Sequence, residues 1–146
     1  MNKINVGRVV IAGLLAGFVL NMGEFLLNTV VLAQTMEEDL RKLNLPPPSG
    51  TFILRAVGMT FLLGIVLVYI YAAIRPRFGP GVKTAVCAGL LGWFFIYLYA
   101  GYLNEAIGVV SLKSFLIGLV WGLVEYVAAA VAGAWLYKEE AELLVP

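Results

Sequence analysis

Residues 13–28 read Gly13-Leu14-Leu15-Ala16-Gly17-Phe18-Val19-Leu20-Asn21-Met22-Gly23-Glu24-Phe25-Leu26-Leu27-Asn28. At about 100° per residue, Gly13, Gly17, Asn21, Glu24 and Asn28 project from one side of a helix, within an arc of roughly 80°. The flanking residues, from Val9 to Leu20 and from Phe25 to Leu32, are the material of a membrane span. A carboxylate in such a span is costly unless it is neutral, paired or turned toward protein, so Glu24 has to be accommodated by neighbouring helices.

Outward from this stretch the chain repeats the same composition. Of its 146 residues 62% are hydrophobic and 13% charged, far from the balance of about 45–50% and about 25% in soluble domains. Four apolar segments of spanning length, 9–32, 52–74, 82–103 and 112–137, predict an all-α membrane protein. The expected architecture is a single transmembrane domain over 1–146, a four-helix bundle built from two helix hairpins. An even number of spans places both termini on one face. Lys3, Arg8, Arg75, Arg77, Lys83 and Lys138 fall on that face and Arg41, Lys42, Arg55 and Lys113 on the other. Basic loops stay inside, so both termini are expected in the cytoplasm.

The sizeable polar loop, 34–51, predicts a short interfacial helix over about 36–44. Thr35 and Glu38 have capping-box spacing, Arg41 and Lys42 suit the last turn, and Met36, Leu40 and Leu43 form an apolar side. Pro46-Pro47-Pro48 then stops the helix and leads to the second span. That span is expected to end at Ile74, with Arg75 to Gly81 as a Pro/Gly turn into the third. The C-terminal Lys138-Glu139-Glu140-Ala141-Glu142 is expected to carry the last helix into solvent.

An internal repeat at an offset of 76 residues pairs Ala12-Gly13-Leu14-Leu15 with Ala88-Gly89-Leu90-Leu91, Phe18 with Phe94, and Leu27-Asn28 with Leu103-Asn104. Two duplicated hairpins would be related by an axis along the membrane normal. The match fails where it matters most: Asn21 and Glu24 correspond to Tyr97 and Ala100. The last span carries an acid of its own, and Gly118, Gly122, Glu125, Ala129 and Ala132 share one face. Such small-residue faces let membrane helices approach closely, and the seams Gly13/Gly17 and Gly118/Gly122 are expected to bring the Glu24 and Glu125 helices together.

Several chemistries are excluded. The chain has no histidine and a single cysteine, Cys87, which removes imidazole triads, haem ligation by histidine, disulfides and thiolate clusters. No metal site or cofactor is expected, and a net charge of +1 gives no nucleic-acid face. No aspartate lies in a span, and neither a phosphate loop nor a nucleophile elbow is present.

What remains is the polar inventory of the spans. Glu24 and Glu125, with Asn21, Asn28 and Asn104 as hydrogen-bond partners, form the candidate ion or proton site; the same groups would serve equally as interhelical glue. Arg55 and Glu105 are candidates for an ion pair at the non-cytoplasmic boundary. Trp93, Phe94, Phe95, Tyr97, Tyr99 and Tyr102 would pack in the core, face lipid or wall a lipid or quinone groove, while Tyr102, Trp135 and Tyr137 are expected as interfacial anchors.

Three stretches resemble a group of uncharacterised bacterial four-span integral membrane proteins: Gly7-Arg8-Val9-Val10 with Asn21 to Asn28, Tyr71 to Ala85, and Trp121-Gly122-Leu123-Val124-Glu125. The resemblance implies the four-helix fold and a place in the bacterial cytoplasmic membrane, with no activity attached. The plan is also similar to small multidrug exporters in its four short spans and first-span glutamate, although the loops are longer and their third-span aromatic motif is not matched. The leading functional expectation is a non-enzymatic subunit that self-associates as a homo-oligomer or joins a larger membrane complex. The alternative is a small proton- or cation-coupled transporter using Glu24 and Glu125.

Overall fold

The computed structural model describes residues 4–137, which form helices and their connections. Helix α1 (Val6–Leu26) runs on through a π-helical turn, Leu27–Val31, to α2 (Ala33–Lys42). Helix α3 (Gly50–Phe78) follows, then α4 (Val82–Trp93), a second π-helical stretch (Phe94–Tyr99), α5 (Ala100–Ala106) and α6 (Leu112–Leu136). Four continuous helices are long and apolar enough to cross a membrane: Val6–Val31, Gly50–Phe78, Val82–Ala106 and Leu112–Leu136. The protein is an all-α four-helix membrane bundle, each span within a few residues of its expected bounds. The C-terminal run Lys138 to Glu142 lies outside the described residues.

Helix starts are set by side-chain oxygens that accept otherwise unpaired amides. Asn5 accepts from the Arg8 N–H, Ser49 from Phe52 and Ser111 from Ser114. Two expected boundaries move. The capping box at Thr35 does not form, because α2 begins at Ala33 and the Thr35 hydroxyl instead donates to the Leu32 carbonyl at 3.1 Å. The helix ends as a left-handed cap at Asn44 (φ 53°), with Leu45 N–H donating to Leu40 O and Asn44 N–H to Arg41 O. Helix α3 also passes through Pro76 to Phe78. Proline near a helix end forfeits one backbone bond and little else, so the actual stop is Gly79 (φ 81°), and only Gly79-Pro80-Gly81 turns the chain.

Around the bundle, α1 packs against α3 and α6, α4 against α3 and α6, and α3 also meets α6 across the middle. The core is built largely of small residues: Val9, Ala12, Ala16 and Leu20 of α1, Leu67, Val68 and Ala72 of α3, Ala85 and Ala88 of α4, and Ala129 and Ala130 of α6. Such residues let backbones close up where lipid offers no hydrophobic drive. All but Leu20, which sits near mid-span, lie in the half of the bundle nearest the termini. The opposite half is looser, and residues 50–59 of α3 are exposed throughout. The terminal end is closed by Tyr137, buried rather than interfacial, which stacks edge-on against Tyr71 and lies 5.8 Å under the Arg75 guanidinium.

The glycine seams form, with different partners from those expected. Gly13 and Gly17 receive the α3 backbone at Ile65 and Phe61, and Gly64 sits against both glycines. Gly118 and Gly122 receive the Tyr97 ring. The approach of α1 to α6 uses Gly23, which meets the Glu125 side chain, and Gly133, which meets Ala12 and Ala16.

Candidate functional site

Glu24 lies one turn before the π-helical end of α1. The cause of that π turn is local: the Asn28 amide donates to the Glu24 carbonyl at 2.8 Å and the Thr29 hydroxyl to the Phe25 carbonyl at 2.6 Å. Both carbonyls are thereby shared with side chains, and the ladder slips by one residue, with Leu32 N–H donating to Leu27 O. π turns inside α-helices frequently mark functional positions. The same Asn28 amide also donates to Glu24 Oε2 at 2.9 Å, fixing the carboxyl on its own helix.

The third span brings the second group. Tyr97 sits within the π stretch Phe94–Tyr99, and its hydroxyl donates to Glu24 Oε1 at 2.8 Å. Its ring fills the space left by Gly118 and Gly122 of α6 and stacks edge-on against Tyr126, at 5.7 Å between centroids. From α6, Glu125 Oε2 lies 3.5 Å from the same hydroxyl. Glu125 is 6% exposed, and its side chain rests on Gly23, where a Cβ would stand 2.6 Å from the carboxyl carbon.

Three spans therefore meet at one phenol. A tyrosine hydroxyl carries one hydrogen and can also accept. It donates to Glu24, so a hydrogen bond to Glu125 requires the hydrogen to come from the Glu125 carboxyl. The geometry fits a carboxylate, a phenol and a carboxylic acid in a row, with one proton between the two acids. Two bare carboxylates at this separation inside a bilayer would face the cost of two like charges in low dielectric.

Two openings converge on the row. A cavity of about 280 Å³ is lined by Glu24, Asn28, Tyr97, Asn104 and Ser114 among apolar residues and lies toward the α2 end of the bundle. A larger groove of about 650 Å³ runs along the outside of α1 and α6, lined by Val19, Gly23, Leu116, Val120, Trp121, Val124 and Glu125. Behind the groove, Glu125 Oε1 and Trp121 Nε1, one turn apart on α6, are both buried side by side.

The other expected residues take separate places. Asn21 bonds its own helix at the Gly17 carbonyl (2.9 Å) and crosses to the Val57 carbonyl (3.4 Å), while Asn104 donates to the Ala100 carbonyl (2.7 Å) and meets the acids only as a wall of the cavity. Arg55 and Glu105 do not pair. The ion pairs among the described residues are Arg41 with Glu37 and Lys42 with Asp39, and Arg55 stands on the exposed start of α3. The six rings of the third span do not form one wall either. Trp93 and Tyr97 turn inward, Trp93 donating to the Leu119 carbonyl at 2.8 Å, whereas Phe94, Phe95, Tyr99 and Tyr102 are exposed on the outer surface.

One contact outside the spans bears on the cavity. Asp39 Oδ2 of α2 accepts from the Ser111 N–H, the Ser111 hydroxyl and the Ser114 hydroxyl at 2.9–3.2 Å, tying α2 to the start of α6. Burial pushes this carboxyl up, but those three hydrogen bonds and Lys42 outweigh it and hold it below its ordinary value.

Sequence reasoning singled out both acids and Asn28. It treated Tyr97 as one ring among six, and passed over Gly23 and Trp121. The signal for Tyr97 was in the repeat, which aligns it with Asn21 on the polar stripe. Compared with protein-family models, with curated protein sequences and with solved structures, the chain shows no significant match.

Proposed function

We propose that this chain is a small proton-linked carrier of an organic cation, with both termini in the cytoplasm. The observation that supports it is the placement of the Tyr97 hydroxyl between Glu24 and Glu125, at the meeting point of a cavity with a few polar groups in its wall and a lipid-side groove. A cation entering the cavity meets the Glu24 carboxylate, with the Asn28 amide and the Ser114 hydroxyl close by. Its positive charge there replaces the shared proton, which leaves through the same cavity. A volume of about 280 Å³ falls below the range of about 300–1,000 Å³ for drug-sized sites, so the solute is small. No covalent bond is made or broken.

The competing reading is a subunit that associates through its small-residue faces. Those faces are occupied within one chain, Gly13 and Gly17 by α3, Gly118 and Gly122 by Tyr97. On that account we favour exchange.

The test uses the purified full-length chain in nanodiscs, in weak buffer with a pH indicator, and tetramethylammonium as probe. The expected result is release of about one proton per chain on saturation, abolished by Glu24→Gln and by Glu125→Gln while thermal stability is retained. Failure of the unaltered protein to release protons, or unchanged release in both variants, would overturn the proposal.

A further inference from the structure

The cavity beside Glu24 has a wall whose polar hydrogens are largely spent inside the protein. The Tyr97 hydroxyl donates to Glu24 Oε1 and the Ser114 hydroxyl to Asp39 Oδ2. The Asn28 amide donates to the Glu24 carbonyl and to Glu24 Oε2, and the Asn104 amide to the Ala100 carbonyl at 2.7 Å. These bonds fix which end of each amide is which, because a reversed amide would set oxygen against oxygen at the same distance. Each asparagine therefore keeps its acceptor, and among the described residues no hydrogen-bond donor reaches Asn28 Oδ1 or Asn104 Oδ1. A carboxylate has about four lone-pair sites, so Glu24 also accepts beyond its bonds from Tyr97 and Asn28. The rest of the lining, Leu27, Leu32, Ile96, Val110 and Phe115 among it, adds no positive charge.

We infer, on the exchange reading of this cavity, that the cation it takes is a primary ammonium carrying a short alkyl group. Such an ion brings three N–H donors, and the wall offers oxygens for them from two helices, Glu24 and Asn28 on the first span and Asn104 on α5. A quaternary ammonium is drawn in by Glu24 as strongly, but it sets methyl groups against these oxygens and strips their water without replacing it. A neutral alcohol or amide leaves the carboxylate uncompensated. A bare alkali cation finds the same oxygens yet leaves the apolar walls unfilled in a space of about 280 Å³, whereas an alkyl group lies against Leu27, Ile96 and Phe115. Asn104 is then the selectivity residue, since its oxygen meets the bound ion and takes no part in joining the two acids.

Tetramethylammonium and tert-butylammonium are isomers, alike in charge and close in volume, and the second alone carries N–H groups. Their affinities for the full-length chain in nanodiscs are measured by isothermal titration calorimetry, which does not depend on proton release, with release followed in parallel. The expected result is about tenfold tighter binding of tert-butylammonium. Asn104 is exposed near the end of the third span, so Asn104→Ala is expected to keep its melting temperature while the ratio between the isomers narrows to about threefold or less. Equal affinities, tighter binding of tetramethylammonium, or an unchanged ratio in folded Asn104→Ala would overturn the assignment. Displacement of tert-butylammonium by sodium at equal concentration would overturn it in favour of a metal ion. Binding with the expected preference but without proton release would overturn the exchange proposal and leave the preference standing; proton release by tetramethylammonium at an equal or lower concentration would do the reverse. Failure of both isomers to bind would overturn both.

Discussion

Tyr97 is the group through which the two acids are joined, and its hydroxyl can be removed without disturbing its ring. In Tyr97→Phe the ring still fills the space beside Gly118 and Gly122, so thermal stability should fall by about 1 kcal/mol or less, the value of one hydrogen bond between membrane helices. The rate of proton release on adding tetramethylammonium should fall far more, by about a hundredfold, because the acids lose the group that passes a proton between them. Stopped-flow indicator traces read this directly; an unchanged rate would leave Tyr97 a packing residue. Gly23 offers a converse test. A methyl group there would press on the Glu125 carboxyl carbon at 2.6 Å, so Gly23→Ala should destabilise by about 1–3 kcal/mol through overpacking and displace Glu125. Gly58→Ala, with nothing within 4 Å of its added methyl, should be neutral or stabilising by up to about 1 kcal/mol through helix propensity. Thermal melts of the two variants in one lipid make the comparison.

The helices themselves were legible because a membrane span announces itself by length and apolarity, and the acids because charge inside such a run has few explanations. What was not legible is where helix geometry departs from 100° per residue. The π turn at Leu27–Val31 arises from the competition of Asn28 and Thr29 for carbonyls, which a wheel of fixed pitch ignores. The stretch Phe94–Tyr99 likewise rotates Tyr97 toward α1 and leaves Phe94 and Phe95 on the lipid face. The two π segments also fall at non-equivalent positions of the 76-residue register. For α2, Thr35 promised a cap that the preceding backbone supplies instead, and the decisive polar contact, Asp39 on Ser111 and Ser114, joins residues more than 70 positions apart. That contact makes a pH prediction. The Asp39 carboxyl is held below its ordinary value, so the docking of α2 is stabilised above the unfolded-state value and lost as pH falls through the lowered one. The protection of the α2 amides, taken relative to their intrinsic exchange rates at each pH, should therefore be flat near neutrality and fall below about pH 4. In Asp39→Asn the protection should already be lower at neutral pH, without that acid step.

The bundle as a whole is tight at one end and open at the other. Alanines and glycines close the half nearest the termini, and the cavity reaches the acids from the opposite half. A carrier with one mouth open needs a second arrangement in which the tight half parts, and small side chains forfeit little burial when they separate. Locking that half should therefore stop exchange without touching the acids. Gly133 of α6 suits the purpose once Val68, whose methyl group a Cβ there would strike, is cut back to Ala: that Cβ lies 3.2 Å from the Ala16 Cβ of α1, and a small parting of the helices brings it into the disulfide range of about 3.5–4.5 Å. With Cys87 and Val68 replaced by Ala, the pair Ala16→Cys and Gly133→Cys should cross-link on mild oxidation, seen as a mobility shift on non-reducing gels. The oxidised protein should still release its proton on binding tetramethylammonium, because the cavity is untouched, while uptake of the same cation into proteoliposomes should drop at least about tenfold and return on reduction. Should the cross-linked protein carry the cation at an undiminished rate, movement of the alanine-rich half is no part of the cycle. Should proton release vanish with uptake, the lock has reached the acids through Ala16 and Gly17, and the two halves of the bundle do not move independently.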